Sequence, residues 1–219
     1  LPIRTFMPVR GSEGKMAIMP GALQDPWCFG IKLVAKYPRE HDSPYGTHEG
    51  MVLLFDAGLG LPVALIEGAT LTGIRTAAAS ALATDLLARP DARRLLVVGS
   101  GEQARRHIVA LKTVRDFSEI AIWGRSAERA ESLAKQLAER EGIAVSLVQD
   151  LREAAETADV ITTVTSAKEP VLAGAWVAPG THVNLVGSAV PAHREVDREL
   201  VTRARYFVDY RPAALAAAS

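Results

Sequence analysis

Cysteine is nearly absent. Cys28 stands alone in 219 residues, which excludes an internal disulfide and a cysteine-built metal site. Nor is there a surplus of either charge: Lys plus Arg number 25 and Asp plus Glu number 25. No overall basic field therefore draws the chain to nucleic acid or to an anionic membrane surface, and neither partner is expected. Apolar runs are short. None approaches the roughly 20 residues of a membrane-crossing helix, and no basic-then-apolar leader opens the chain. These absences point to a cytoplasmic protein in which local charge does the ligand steering. Both ends read as incomplete, because Leu1 to Arg10 begin without a start methionine and Ala213 to Ser219 form an alanine-rich stub.

What is present, at 48% hydrophobic content, suffices to bury a sizeable core. The most informative stretch is Leu95 to Ala104, LLVVGSGEQA. Four aliphatic residues bounded by glycine read as a strand buried on both faces. Gly99, Gly101 and Ala104 then give the spacing G-x-G-x-x-A: a tight turn, a close backbone approach to a pyrophosphate, and close helix packing. A helix over Gln103 to Lys112 would aim N–H groups and its positive dipole end at that phosphate. A glycine turn alone also fits a strand-to-helix corner that binds nothing, but the residues C-terminal to it support the nucleotide reading. Strands at 119–123, 144–148, 159–165 and 182–186 alternate with helices at 127–140 and 151–157, the pattern of an α/β, doubly wound parallel sheet.

Residues before about 68 differ. Extended candidates at 3–9, 15–19, 30–37, 51–56 and 62–67 are punctuated by Gly, Pro and Asp, so a mostly antiparallel second lobe is expected. A helix over 70–87, with Thr72 as its cap, would bridge the lobes and stop near Arg89-Pro90.

At the end of the second parallel strand, where an NAD-binding fold places a carboxylate for the ribose 2′-OH, the sequence has Arg125-Ser126. That pair suits a 2′-phosphate, so NADP(H) is preferred with NAD(H) possible; the alternative is an exposed arginine at a strand end. Thr163, Val164 and Thr165 lie where the cofactor would sit, although threonine is also a good strand former that satisfies local groups. Val186, Gly187 and Ser188 end the next strand, and the glycine would leave room beside a nicotinamide ring. In the first lobe, Lys32 interrupts the apolar run 29–34 and Arg75 interrupts a small-residue helix face, while Arg4 lies in the opening strand. Converging on one cavity, these cations would bind a small carboxylate; taken singly, each also fits a salt-bridged surface position. His48, in a loop, is a candidate proton donor. His41, His107, His182 and His193 show no ligand spacing, so no metal is expected.

Together, IRT at 3–5, MP at 19–20, GIKLV at 30–34, H-x-G at 48–50, RTAAASALAT at 75–84, VVGSGEQA, IWGRS, ADVITTVT and VNLVGSAVP followed by REVD resemble the ornithine cyclodeaminase and mu-crystallin family over nearly the whole chain. The resemblance implies a Rossmann domain, at 89–210, and an α+β substrate and dimerisation lobe, at 1–88 with the chain end after about 211. It further implies a homodimer and a small amino or imino acid substrate. Arg4, Lys32 and Arg75 match the family's substrate-carboxylate and catalytic positions. Gly99, Ser100, Gly101, Glu102, Gln103 and Ala104 match its pyrophosphate loop, and Arg125 with Ser126 the corner of its NADPH-using members. Two departures stand out: Ala17 replaces the glutamate, and Ala189 the aspartate, that cyclodeaminases carry. The expected activity is therefore NAD(P)H-dependent reduction of a cyclic imino acid, pyrroline-2-carboxylate or piperideine-2-carboxylate, to an L-amino acid. Ornithine cyclodeamination, an alanine-dehydrogenase-like reaction and a mu-crystallin-like NADPH-binding protein remain alternatives.

Overall fold

The structure, a computed structural model, describes residues 2–39, 43, 46, 48–188 and 193–217. The chain divides into two compact units, Leu1–Thr72 and Gly73–Ser219.

The first unit is an antiparallel meander of β1 (Thr5–Pro8), β2 (Lys15–Gln24), β3 (Trp27–Lys36), β4 (His48–Asp56) and β5 (Pro62–Glu67), paired in chain order. Several strands exceed the sequence expectation. β2 continues through Pro20 and Gly21 because β1 pairs only with residues up to Ile18. Beyond that point β2 has a strand on one side only, where a proline is tolerated. Strand alternation then gives the sheet two unlike faces. Phe29, Leu33, Met51 and Leu65 are exposed on one, with the Phe29 and Phe55 rings stacked at 5.0 Å across β3 and β4. Ala17 and Val34 are buried on the other.

Helix α1 (Gly68–Leu87) starts earlier than expected, and Thr72 is not its cap. The Glu67 carboxylate accepts the N–H groups of Ala69 and Thr70, while the Thr72 hydroxyl turns back to the Gly68 carbonyl. These bonds, the Thr70 contacts foremost, hold the Glu67 carboxyl below its ordinary pKa range. The far end of α1 has no basic residue in its last turn. Instead Arg115 donates to the carbonyls of Thr84, Asp85 and Ala88 and to the Asp85 carboxylate.

In the second unit the chain runs β6 (Arg94–Val98), α2 (Glu102–Leu111), β7 (Glu119–Trp123), α3 (Ala127–Glu141), β8 (Ser146–Leu147), α4 (Leu151–Thr157), β9 (Val160–Thr163), a 3-10 turn at Gly174–Trp176, β10 (His182–Leu185), α5 (Arg198–Arg203) and α6 (Arg211–Ala217). The strands form a parallel sheet in the order β10-β9-β6-β7-β8. The doubly wound α/β expectation is met. β6 sits centrally because it is buried on both faces: Leu95 and Val97 pack with Ile108, Leu111, Leu133 and Leu137, and Leu96 and Val98 with Leu151, Leu172 and Leu200. Each such aliphatic side chain contributes about 2 kcal/mol of burial. The sequence reading missed α5, which the Asp197 carboxylate caps through the Leu200 N–H. Asp159 anchors the start of β6 by accepting the N–H groups of Arg93 and Arg94, each at 2.9 Å, and a guanidinium N–H of Arg89 at 2.6 Å. Burial pushes its carboxyl pKa up, but those N–H groups and the Arg89 and Arg94 charges outweigh it, leaving the carboxyl below its ordinary range.

Candidate functional site

Winding reverses beside β6, since β7 and β8 extend the sheet on one side and β9 and β10 on the other. The turn after β6 therefore lies at a switch point, where open parallel sheets bind ligands. Gly99 takes φ +131°, and a Cβ there would come within 2.9 Å of the Val164 carbonyl, so the turn demands glycine. Gly101 behaves differently. It is extended, at φ −98° and ψ −171°, and a Cβ would meet nothing within 4 Å. No side chain caps α2, and the Ala104 N–H turns back to the Gly101 carbonyl at 3.0 Å, so the N–H groups of Glu102 and Gln103 are the ones left for another acceptor. The Gln103 side-chain oxygen beside them is buried without a partner. Ala104 is fully buried, as close packing of α2 on the sheet requires.

Between the starts of α2 and α3 lies a cavity of about 280 Å³, lined by Ser100, Gly101, Glu102, Arg105, Arg129, Ser132, Leu133 and Gln136. Glu102 is an acid where an anion is expected, but Arg105 and Arg106 offset its charge, with contacts of 3.1 and 2.7 Å. Burial raises the Glu102 pKa and the two guanidiniums overcome it, so the net displacement is downward. Arg125 is exposed in the β7–α3 corner, and the Ser126 oxygen caps α3 by accepting the Arg129 N–H. Arg129, which the sequence reading did not single out, lines the cavity one turn further on. An uncapped helix start and arginines around one cavity fit a phosphate-bearing nucleotide.

The ends of β9 and β10 correct two expectations. Thr163 is fully buried and its hydroxyl donates to Glu195 at 2.8 Å, so that side chain serves the interior rather than a ligand. Gly187 leaves no open room on its Cβ side: an added Cβ would lie 1.9 Å from the Thr165 carbonyl and 2.5 Å from a Glu195 oxygen. Val164, Thr165, Val186 and Ser188 are half-buried at the same edge. Ala189 lies outside the described residues, as does His41.

In the first unit, Lys32 occupies the face of β3 that carries Val34, flanked by Met19 and Val52 in the neighbouring strands. It is half-buried and donates to the Thr72 hydroxyl at the start of α1. Arg4 precedes β1 rather than lying in it, with its guanidinium 5.6 Å from the Phe6 ring centre. By strand alternation Lys15, Lys32 and Lys36 belong to this one face, as does Phe6, over whose ring the Arg4 guanidinium lies. Burial first, then the Arg4 and Lys15 charges, holds the Lys36 ammonium below its ordinary pKa range. The sequence reading passed over Lys36. His48 is not in a loop; it opens β4, exposed and opposite Lys36. Four strand residues, about 13 Å, separate that register position from Lys32. Arg75 is exposed on α1, in the second unit. Among the described residues no three of His, Cys, Asp and Glu gather as a metal-binding group, and no helix is long and apolar enough to cross a membrane.

Comparison with known proteins decides the lineage. The model of the ornithine cyclodeaminase/mu-crystallin family matches residues 1–217. The chain belongs to that family. Ketimine reductase mu-crystallin of Mus musculus is 39% identical over 214 residues, covering 98% of this chain and 67% of the mouse protein. A solved Thermococcus litoralis Delta(1)-pyrroline-2-carboxylate reductase, in complex with NADH and L-proline, superposes with a TM-score of 0.92 at 34% identity, covering 98% of this chain and 66% of that one. An archaeal alanine dehydrogenase dimer with bound NAD superposes at TM-score 0.88 and 29% identity, covering 97% of this chain and 64% of its own. This member of the ornithine cyclodeaminase/mu-crystallin family thus spans about two thirds of the length of the relatives it matches.

Proposed function

We propose that the protein is an NADPH-dependent reductase of small cyclic imino acids, of the pyrroline-2-carboxylate or piperideine-2-carboxylate type. The choice of imine reduction over ring-forming deamination rests on Ala17. Ornithine cyclodeaminases carry a glutamate at this position, whereas here a methyl group is 5% exposed in β2, across from Val34 on the cationic face. Ring closure needs a group to hold a second amine, and a cyclic imine does not. The reductases among the relatives support the same choice.

In this reading the Gly99–Ala104 turn and the start of α2 hold the pyrophosphate. Arg125, Ser126 and Arg129 take the 2′-phosphate, which favours NADPH, and Thr165, Val186 and Ser188 border the nicotinamide half. The cofactor, when bound, supplies a hydride to the imine carbon. The chain supplies the rest. Arg4 and Lys32 bind the substrate carboxylate, with guanidinium giving two-point recognition. A proton must also reach the ring nitrogen, and Lys32, whose ammonium already donates to the Thr72 hydroxyl, is the donor we assign. The register distance argues against His48 sharing that task. A homodimer belongs to the same reading, with the exposed Phe29, Leu33, Met51 and Leu65 face covered by a second copy.

Steady-state NADPH oxidation with the two cyclic imines, set against ammonia release from ornithine, tests the proposal. Imine reduction without ammonia release is expected. Ornithine turnover without imine reduction would overturn it.

A further inference from the structure

Glu195 was not singled out by its sequence, yet it is fully buried and joins the ends of two parallel strands. One carboxylate oxygen accepts the Gly187 N–H at 2.7 Å and the Thr163 hydroxyl at 2.8 Å. The other accepts the Thr165 N–H at 2.6 Å and the Thr165 hydroxyl at 2.9 Å. Its main chain adds further ties: the N–H donates to the Ser188 hydroxyl at 3.1 Å, and the carbonyl accepts the N–H groups of Val171 and Leu172, both at 3.0 Å. A carboxylate withdrawn from water is tolerated only when its acceptor sites are filled, and here each oxygen is met by a backbone N–H and a hydroxyl. The approach is close enough that a Cβ at residue 187 would collide with it.

We propose that Glu195 is a positioning residue for the nicotinamide half of the cofactor, fixing the spacing between the β9 and β10 ends on which that half rests. The inference builds on the cofactor assignment above. Its mechanical basis is that Thr165 and Gly187 follow the ends of different strands, β9 and β10, and share one carboxylate. Moving either backbone segment breaks a bond to Glu195. The ring orientation needed for hydride transfer depends on that edge, whereas the phosphates are held at the Gly99 turn.

Glu195→Gln tests this in the full-length protein. The amide keeps the shape, but whichever way it is turned its NH2 group faces a backbone N–H, that of Thr165 or that of Gly187, and neither can reverse. The fluorescence enhancement of bound NADPH, which reports the surroundings of the reduced ring, is expected to fall at least about twofold while the NADPH Kd moves less than about threefold; kcat for imine reduction is expected to fall about tenfold with KM for the imino acid within about threefold. A variant that is merely less heat-stable, with enhancement and kcat unchanged below its melting transition, overturns the proposal. Should Glu195→Gln fail to fold, Thr163→Val removes a single hydroxyl donor with little change of shape; a smaller loss of both readouts supports the inference, and none overturns it. Wild-type protein that binds no nicotinamide nucleotide would overturn the cofactor assignment together with this inference, whereas wild-type binding with an unaltered Glu195→Gln variant overturns this inference alone.

Discussion

Replacing Gly101 by alanine separates folding from cofactor binding. The residue is extended at φ −98°, a conformation open to alanine, and the added methyl would meet no protein atom within 4 Å. Two small effects on stability oppose each other. Alanine is a poorer helix N-cap than glycine by about 0.5–1 kcal/mol, and the stiffer unfolded chain returns about 0.4–1 kcal/mol. The expected net change lies within about 0.5 kcal/mol, under roughly 2 °C in Tm for a unit of this size. Binding should respond far more. The methyl projects from the backbone at the point the pyrophosphate must approach, and losing one charge-assisted N–H contact there costs about 2 kcal/mol, or about thirtyfold in Kd. Gly99→Ala is the contrasting control: its φ of +131° and the Val164 carbonyl 2.9 Å from the new methyl make the fold itself suffer, by about 2 kcal/mol or more. Fluorescence titration with NADPH alongside a thermal melt reads both quantities. A Gly101→Ala protein that melts normally and binds NADPH within about threefold of wild type would refute the placement of the pyrophosphate over this turn.

Three further outcomes are expected. Arg125→Ala should lower kcat/KM with NADPH by about 10- to 100-fold while leaving NADH within about threefold, measured by parallel kinetics with the two nucleotides. Lys32→Met should lower kcat/KM for the imino acid by more than about 100-fold, with the NADPH Kd, followed by fluorescence, within about threefold. Asp159→Asn should destabilise by about 2 kcal/mol in urea denaturation, because the 13%-exposed carboxylate holds two backbone N–H groups and a guanidinium. Since its folded pKa is depressed, that stabilisation is present above the unfolded value and lost as pH falls through the folded one. The gap between wild type and Asp159→Asn should therefore close below about pH 4.

Local patterns were legible where local chemistry decides them. The β6 strand and its glycine turn, the bounds of β5, β7 and α4, and the parallel, doubly wound character of the second sheet all follow from aliphatic runs and punctuation. Strand lengths in the meander were less so, because whether Pro20 ends β2 depends on how far β1 reaches alongside it. The start of α1 is not legible in the sequence because Glu67 and Thr72 compete to cap it, and only the folded backbone shows which oxygen meets the free N–H groups. In the candidate site, residue types announced Arg125 and Lys32. Lys36 and Arg129 passed as ordinary surface cations, and Glu195 as one acid among others. Its burial is a property of two strand ends distant in sequence, and no spacing rule encodes that.

The guanidinium of Arg115 closes the end of α1 from outside the helix, on the Thr84, Asp85 and Ala88 carbonyls, the first of which also takes the Ala88 N–H. Dissecting the gene just after residue 88 would strip those carbonyls of their clasp and strand Ala77, Ala81 and Ala88, which are buried. An excised parallel-sheet fragment should accordingly begin near Gly73, so that most of the helix travels with the arginine that finishes it.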